Sequence, residues 1–254
     1  MRINLNNDWK FMHGDFPDAR ENTFDDSDWY DVGIPHSFGI PYFMENHFYV
    51  GYGCYRKVLR IEPEWAGKRI SLEFQGAFQD AEIFLNGQFA GGHKGGYTAF
   101  PVDVTDFVQP GENLLFVRLN NLWNPRLAPR GGEHVFNGGL YRDVSLLVKE
   151  PVHIAWYGTF IRTPNVSEEE AEIAISTEVS NESDFNISVL LVSTISFNGQ
   201  FLFDMKTPHR MAPWETVTIY QNGTLSAPRL WSPESPSLYL LGSRVHVLDT
   251  ASAG

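Results

Sequence analysis

The chain has 254 residues, of which 43% are hydrophobic, and a formal net charge of −12 from 31 acidic and 19 basic side chains. This length and apolar content suit one or two domains with proper cores and exclude a disordered chain. The acidic balance argues against a nucleic-acid partner and against an anionic membrane surface, because both require clustered Lys and Arg. It says little about a neutral ligand such as a sugar.

A single cysteine, Cys54, excludes an intrachain disulfide and is predicted to be a small buried apolar residue. No apolar run reaches the roughly 18 residues that span a membrane. The first residues, Met1-Arg-Ile-Asn-Leu-Asn-Asn-Asp, lack the apolar segment of a signal peptide. The compartment stays open, since a leader can be removed.

Short strands separated by turn residues dominate the pattern. Helical apolar spacing is scarce, whereas alternation and β-branched or aromatic runs recur along the chain. The predicted strands are Cys54–Leu59, Ile70–Phe74, Ala81–Leu85, Leu114–Leu119, Val144–Val148, Glu172–Val179, Ile187–Ser196, Thr216–Tyr220 and Tyr239–Leu248. Many short, regularly punctuated strands are typical of a sandwich or barrel, so the fold class is all-β.

Two hairpins carry a strong turn signal. Asn86-Gly87 and Asn198-Gly199 each stand between apolar runs, the pattern that favours a two-residue hairpin turn. The glycines at positions 91, 92, 95 and 96 permit positive φ angles and tight turns beside the first hairpin. They do not form a phosphate-binding loop, because no Gly-Lys-Ser/Thr follows and no helix begins there.

A domain boundary is predicted near Glu150-Pro151, between one strand that ends at Val148 and another that begins at Val152. Residues 1–150 suit a jelly-roll sandwich of the galactose-binding type. Residues 151–254 suit an immunoglobulin-like sandwich without its disulfide.

An ordered series of motifs resembles the front part of glycoside hydrolase family 2, the β-galactosidase and β-glucuronidase family. The motifs that carry this resemblance are Asn7-Asp-Trp9-Lys-Phe11, Asp28-Trp-Tyr-Asp-Val-Gly-Ile-Pro-His36, Gly51-Tyr-Gly-Cys-Tyr-Arg56, Ala81-Glu-Ile-Phe-Leu-Asn86-Gly, Gly138-Gly-Leu-Tyr-Arg-Asp143-Val and Leu230-Trp-Ser-Pro-Glu-Ser-Pro236. Each is weak alone, but their order and spacing cover essentially the whole chain.

The resemblance implies a parent enzyme that hydrolyses O-glycosyl bonds with two glutamates on a (β/α)₈ barrel, and a chain that holds only the non-catalytic sandwiches in front of it. No catalytic residue is therefore assigned here. Asn181-Glu182 imitates the family's Asn-Glu acid/base motif but lies between two predicted strands and is interpreted as a turn. The implied partners are the C-terminal barrel of the same full-length chain and a carbohydrate substrate; a homo-oligomer is compatible, and no cofactor or metal is indicated.

The candidate substrate-binding residues are Glu133, His134 and Arg130, in the loop before the Gly-Gly-Leu-Tyr-Arg-Asp-Val strand. In family members whose first domain reaches the sugar pocket, an acidic residue lies at the position of Glu133. The alternative is a solvated loop glutamate. Two differences from the family pattern weaken the assignment of a sugar-binding role to Glu133. Glu133 stands where the family more often has Asp, and Val50 stands where the family has Asn.

Other functions remain open. A stand-alone carbohydrate-binding module would require a row of exposed aromatics on one sheet face, and a purely structural adhesion module is a third option. Trp29, Trp65 and Trp123 are expected to pack in the core or against loops rather than to stack on sugars. His36, His93 and His134 are expected to be structural, because their spacing matches no zinc pattern.

Overall fold

The structure, a computed structural model, describes residues 1–39, 48–127 and 137–251. Within these residues no helix is long and apolar enough to cross a membrane. The chain folds into two compact units, Met1–Lys149 and Glu150–Gly254.

The first unit consists of two facing antiparallel sheets. In chain order its strands are β1 (Arg2–Asn4), β2 (Trp9–His13), β3 (Tyr30–Val32), β4 (Tyr52–Ile61), β5 (Arg69–Phe74), β6 (Asp80–Leu85), β7 (Gln88–Lys94), β8 (Phe100–Asp103), β9 (Gly111–Asn120) and β10 (Val144–Lys149). One sheet has the order β3-β2-β4-β9-β6-β7 and the other β1-β10-β5-β8. In the part of this unit that the structure describes, the loops contain three 3₁₀ turns, Pro17–Arg20, Pro63–Trp65 and Thr105–Phe107.

The second unit is a sandwich of two three-stranded sheets. Its strands are β11 (Val152–Arg162), β12 (Glu170–Asn181), β13 (Asn186–Phe197), β14 (Gln200–Met211), β15 (Glu215–Ser226) and β16 (Tyr239–Ala251). The sheets have the orders β11-β12-β15 and β14-β13-β16, and all pairs are antiparallel. The predicted all-β fold class is confirmed.

Both Asn-Gly turns form as predicted. Asn86 and Gly87 have φ angles of 49° and 81°, and Asn198 and Gly199 have 49° and 77°. Positive φ at both central residues defines the hairpin turn whose twist matches that of the flanking strands. The turns join β6 to β7 and β13 to β14.

The core of the first unit lies between its sheets. Trp9, Tyr55, Leu72 and Phe74 are fully buried there together with many other apolar side chains. Of the glycines at positions 91, 92, 95 and 96, all of which permit a positive φ, only Gly95 adopts one, of 134°. The other three are required by close packing: a Cβ on Gly92 would lie 2.7 Å from the Ala81 carbonyl oxygen, and one on Gly91 2.9 Å from Val102.

The segment between β2 and β3 covers the outer face of the six-stranded sheet. Ala19 and Trp29 of this segment pack against Cys54 and Phe116, and all four side chains are buried. Cys54 is fully buried, as predicted, and burial raises the pKa of its thiol to about 11. Its thiol is therefore neutral at physiological pH.

The core of the second unit is divided by a buried amide. Gln221 on β15 donates from Nε2 to the carbonyl oxygens of Leu191 and Met205 and to the Thr207 hydroxyl, on strands of the facing sheet. Apolar clusters lie on either side, one around Leu191 and the other around Ile175. The amide links the two sheets without a disulfide.

Candidate carbohydrate-facing edge of the first unit

Four described stretches of the first unit meet at one edge of the sandwich. They are residues 36–39, 48–52, 120–127 and 137–141, and we call them the loop edge. They flank segments 40–47 and 128–136. The predicted substrate-binding residues Glu133, His134 and Arg130 belong to the second of these segments and lie outside the described residues.

Backbone hydrogen bonds join the stretches 36–39 and 137–141. The Phe38 amide donates to the Gly138 carbonyl at 2.8 Å, and the His36 amide donates to the Leu140 carbonyl at 2.8 Å. A Cβ on Gly138 would collide with the Phe38 ring, so a glycine is required for this approach. Positions about 100 residues apart in the chain are thereby fixed next to each other.

A buried hydroxyl reinforces this junction. Tyr55 Oη lies 2.9 Å from His36 Nδ1 and 3.3 Å from the Leu140 amide nitrogen. The Leu140 amide can only donate, so the hydroxyl accepts from it and its own proton is directed at His36 Nδ1. Burial, followed by the charge of the nearby His13, lowers the pKa of His36 to about 4, which keeps the ring neutral. Burial also raises the pKa of Tyr55 well above its ordinary value.

Two buried amides hold the other side of the loop edge. Asn121 accepts from the Gly51 amide at 2.8 Å and donates to the Tyr49 carbonyl at 2.9 Å, and so joins the stretches 48–52 and 120–127. Gln79 donates to the Leu122 carbonyl, while its Oε1 is buried without a hydrogen-bond partner among the described residues. Neither amide was predicted to have a role here, because nothing in the local sequence distinguishes them from surface amides.

The rim of the loop edge is apolar and exposed. Trp123 and Tyr97 are 60% and 61% exposed, and Phe48, Val50 and Leu122 accompany them. The Tyr97 ring contacts the Phe78 ring, with centroids 5.6 Å apart. The Phe78 backbone pairs with Gly139 of the loop edge. Trp123 thus departs from its expected packing role, whereas Trp29 is buried as expected. Exposed aromatic faces at a loop edge offer stacking surfaces for sugar rings.

His36 and His93 of the first unit make structural contacts. His36 is part of the junction already described, and His93 stacks on Phe100 with ring centroids 4.2 Å apart. Burial lowers the pKa of His93. Within the described ranges no group of three or more His, Cys, Asp or Glu side chains is placed to hold a metal ion.

A depression of about 730 Å³ lies on the outer face of the six-stranded sheet. Four of its charged side chains form two ion pairs: Arg56 Nε lies 3.0 Å from Asp26, and Lys10 Nζ lies 2.9 Å from Asp31. Asp8 and Lys57 also line the depression, and Lys57 Nζ donates to the Asn7 carbonyl oxygen.

Asn181-Glu182 forms a turn in the second unit, as predicted. Asn181 is fully buried and donates to the carbonyl oxygens of Phe185 and Ala212, while its Oδ1 accepts from Ser183. A side chain held in this way closes the β12–β13 connection.

Comparison with known proteins identifies the class. Residues 16–151 match the family model described as "Glycosyl hydrolases family 2, sugar binding domain", and residues 152–253 match that described as "Glycosyl hydrolases family 2". The chain is therefore a pair of β-sandwich modules of the carbohydrate-active type. It belongs to glycosyl hydrolase family 2.

Individual relatives agree with this assignment. The chain is 31% identical to the β-galactosidase BoGH2A of Bacteroides ovatus, over 96% of its own length and 29% of that protein. It is 32% identical to a β-glucuronidase of Bacteroides fragilis, over 96% of its own length and 35% of that protein. Among solved structures, the Bacteroides uniformis β-glucuronidase superposes with a TM-score of 0.91 at 32% identity, over 99% of this chain and 31% of that one.

The chain thus spans about a third of the length of the relatives it matches. This proportion agrees with a chain that corresponds to the N-terminal domains of a longer glycosidase.

Proposed function

We propose that this chain is the non-catalytic front portion of a glycoside hydrolase, that it braces a C-terminal catalytic barrel, and that its loop edge borders the sugar pocket of that barrel. The match of the whole chain to two successive family 2 modules, over only about a third of each relative, supports the proposal most directly. The relatives' names point to a β-galactoside or β-glucuronide as the substrate class.

The chemistry of the reaction explains why a barrel is needed. Retaining hydrolysis requires two carboxyl groups about 5–5.5 Å apart across the scissile bond, one acting as acid/base and the other as nucleophile. Glu182 stands in the only Asn-Glu sequence of the chain, and its Asn181 neighbour is committed to a buried turn. The proposal therefore assigns both catalytic glutamates to the barrel.

The segment 128–136 is proposed to contact the sugar. A Glu133 carboxylate would accept hydrogen bonds from hydroxyl groups, while Arg130 and His134 would donate to them. The described stretches on either side of this segment are held by the Phe38–Gly138 pairing, the Tyr55 hydroxyl and the Asn121 amide. Rigid support is what a substrate-positioning side chain requires.

The experiment compares the 254-residue chain with the longer protein and its Glu133→Gln variant, on chromogenic β-galactoside and β-glucuronide substrates. We expect no hydrolysis by the chain alone. In the longer protein we expect Glu133→Gln to lower kcat/KM by roughly 10- to 100-fold, the loss of one charge-assisted hydrogen bond to substrate. Glu64→Gln is the matched control, since Glu64 is an exposed glutamate in the 3₁₀ turn that follows the far end of β4.

Two results would contradict the proposal. Hydrolysis by the purified 254-residue chain would show that the chain is itself catalytic. A Glu133→Gln enzyme indistinguishable from the Glu64→Gln control would show that Glu133 is a solvated loop residue.

A stand-alone carbohydrate-binding module remains the second candidate. It requires exposed aromatic side chains in a row on one sheet face, and the second unit has such a pair on its β11-β12-β15 sheet.

A further inference from the structure

Two exposed aromatic rings flank a small residue on the outer face of the β11-β12-β15 sheet. Phe160 on β11 is directly opposite Ser176 on β12, and Ser176 is directly opposite Tyr220 on β15. Phe160 is 61% exposed and Tyr220 is 72% exposed. Directly opposed residues of neighbouring strands project from the same face, so the three form one row.

The neighbours of this row confirm which face it occupies. Ile175 and Thr177, on either side of Ser176, are buried, as are Ile219 and Gln221 on either side of Tyr220. The row therefore faces away from the core. Since strands are about 4.8 Å apart, the Phe160 and Tyr220 backbones are about 10 Å apart, with only a serine side chain between them.

A depression of about 350 Å³ adjoins the row. Ala174 is on β12 two residues from Ser176, is opposite Asn222, and lines this depression together with Glu172, Thr224 and Pro164. Ala174 and Ser176 are the small residues of a short, shallow channel in the middle of β12. Glu172 and Glu178 bound it at its two ends, and larger side chains of β11 and β15 bound it at its sides.

We propose that this channel binds a neutral β-linked glycan chain. The rings of Phe160 and Tyr220 are placed to stack on the apolar faces of sugar residues, because aromatic faces pack against C–H-rich surfaces. Polar side chains on the same face can meet the hydroxyl groups: Arg162 is in the row of Ala174, and Glu178 and Thr218 are in the next row beyond Ser176.

The charges of this face favour a neutral ligand. Three carboxylates of β12, Glu170, Glu172 and Glu178, accompany one guanidinium, Arg162, and the whole chain carries −12. A uronic-acid polymer or a nucleic acid would be repelled. The interspersed donors and acceptors also distinguish the face from an apolar protein-binding patch, whose centre is depleted of charged groups.

The channel belongs to the second unit and the loop edge to the first, and the assignment of the channel rests on the proposed function only for the choice of a carbohydrate ligand. It would hold a glycan on the second unit, whereas the sugar-binding family model covers the first unit. A glycosidase would use such a surface to remain on its polymeric substrate between cleavage events.

The test is native affinity electrophoresis of the 254-residue chain in gels that contain soluble mixed-linkage β-glucan, β-1,4-galactan or, as the anionic comparison, polygalacturonate. We expect retardation by at least one neutral polymer and not by the anionic one. Tyr220→Ala and Phe160→Ala should each weaken it about tenfold, the loss of one stacking contact, while Tyr220→Phe, which keeps the ring, should preserve it. Phe201→Ala is the matched control, because Phe201 is 64% exposed but belongs to the other sheet.

Folding of each variant is checked by its circular dichroism spectrum and thermal transition. Ala174→Leu fills the floor of the channel without removing either ring and should also abolish retardation. No retardation of the folded chain by either neutral polymer would overturn the proposal, as would equal retardation of Tyr220→Ala and Phe201→Ala. Light scattering that shows dimers lost in Tyr220→Ala, without glycan binding, would mean instead that the face contacts protein. Hydrolysis by the longer protein tests the proposed function separately.

Discussion

The Tyr55 hydroxyl gives the sharpest test of how the loop edge is held. In Tyr55→Phe the ring remains and keeps its contacts with Phe11 and Trp9, whose ring centroids lie 4.7 Å and 6.2 Å away. The change therefore removes one oxygen from a fully buried position and leaves His36 Nδ1 and the Leu140 amide without this partner. No cavity larger than an oxygen atom is formed.

The magnitude follows from the orphaned groups. A buried polar atom left unsatisfied costs about 1–3 kcal/mol. Loss of the 2.9 Å hydrogen bond to His36 should cost the full amount, and loss of the longer 3.3 Å bond to Leu140 should cost less. We therefore expect Tyr55→Phe to lower the free energy of unfolding by about 2–3 kcal/mol. For a unit of about 150 residues this corresponds to a fall in Tm of roughly 4–12 °C.

Differential scanning calorimetry with a two-transition fit measures the effect, because the chain contains two compact units. Only the transition of the first unit should shift. Tyr30→Phe is the control, since Tyr30 is 63% exposed on the edge strand β3 and should change stability by less than about 0.5 kcal/mol. A Tyr55→Phe transition within about 1 °C of the Tyr30→Phe transition would refute the assignment of the hydroxyl as a buried bridge.

Two further predictions concern buried polar groups. The pKa of His36 in the folded chain, about 4, lies below the ordinary 6.5, so the unfolded chain takes up a proton first as pH falls. The free energy of unfolding should therefore fall by up to about 3 kcal/mol between pH 6.5 and pH 4. Urea titrations at several pH values should show a smaller fall for His36→Gln. Equal slopes of unfolding free energy against pH in the two proteins would exclude His36 as the source. Asn181→Ala should lower the free energy of unfolding of the second unit by about 2–4 kcal/mol in urea titrations, because the Phe185 and Ala212 carbonyl oxygens lose their donor. A loss below about 0.5 kcal/mol would show that water replaces the amide.

Strand positions were largely predictable because alternation and Asn-Gly turns are local signals. The prediction Leu114–Leu119 lies within the observed strand Gly111–Asn120, and Glu172–Val179 within Glu170–Asn181. Strands of three residues, such as Arg2–Asn4, were not predicted, because an alternation with a period of two cannot be recognised over so short a length. They are stabilised by their partners: Ile3 pairs with Leu146, far away in the sequence.

The functional surfaces were less predictable, because they depend on register and on contacts between distant segments. The meeting of Phe38 with Gly138 requires the folded sandwich, and no local pattern marks Asn121 or Gln79 as supports of the loop edge. Likewise, Phe160 and Tyr220 are far apart in the sequence and become neighbours of Ser176 only through the pairing of β11, β12 and β15. The substrate-binding role of Glu133, His134 and Arg130 stays a prediction.

The hairpin turns Asn86-Gly87 and Asn198-Gly199 should differ in their rate of deamidation. Deamidation of an Asn-Gly pair begins when the glycine nitrogen attacks the side-chain carbonyl carbon, which requires the amide to rotate freely. Asn86 is restrained: it donates to the Phe107 carbonyl and to Asn113, and it accepts from the Leu114 amide. Asn198 is exposed at the tip of the β13–β14 hairpin. Of these two hairpin turns, Asn198-Gly199 should therefore deamidate in stored protein, while Asn86 keeps its amide.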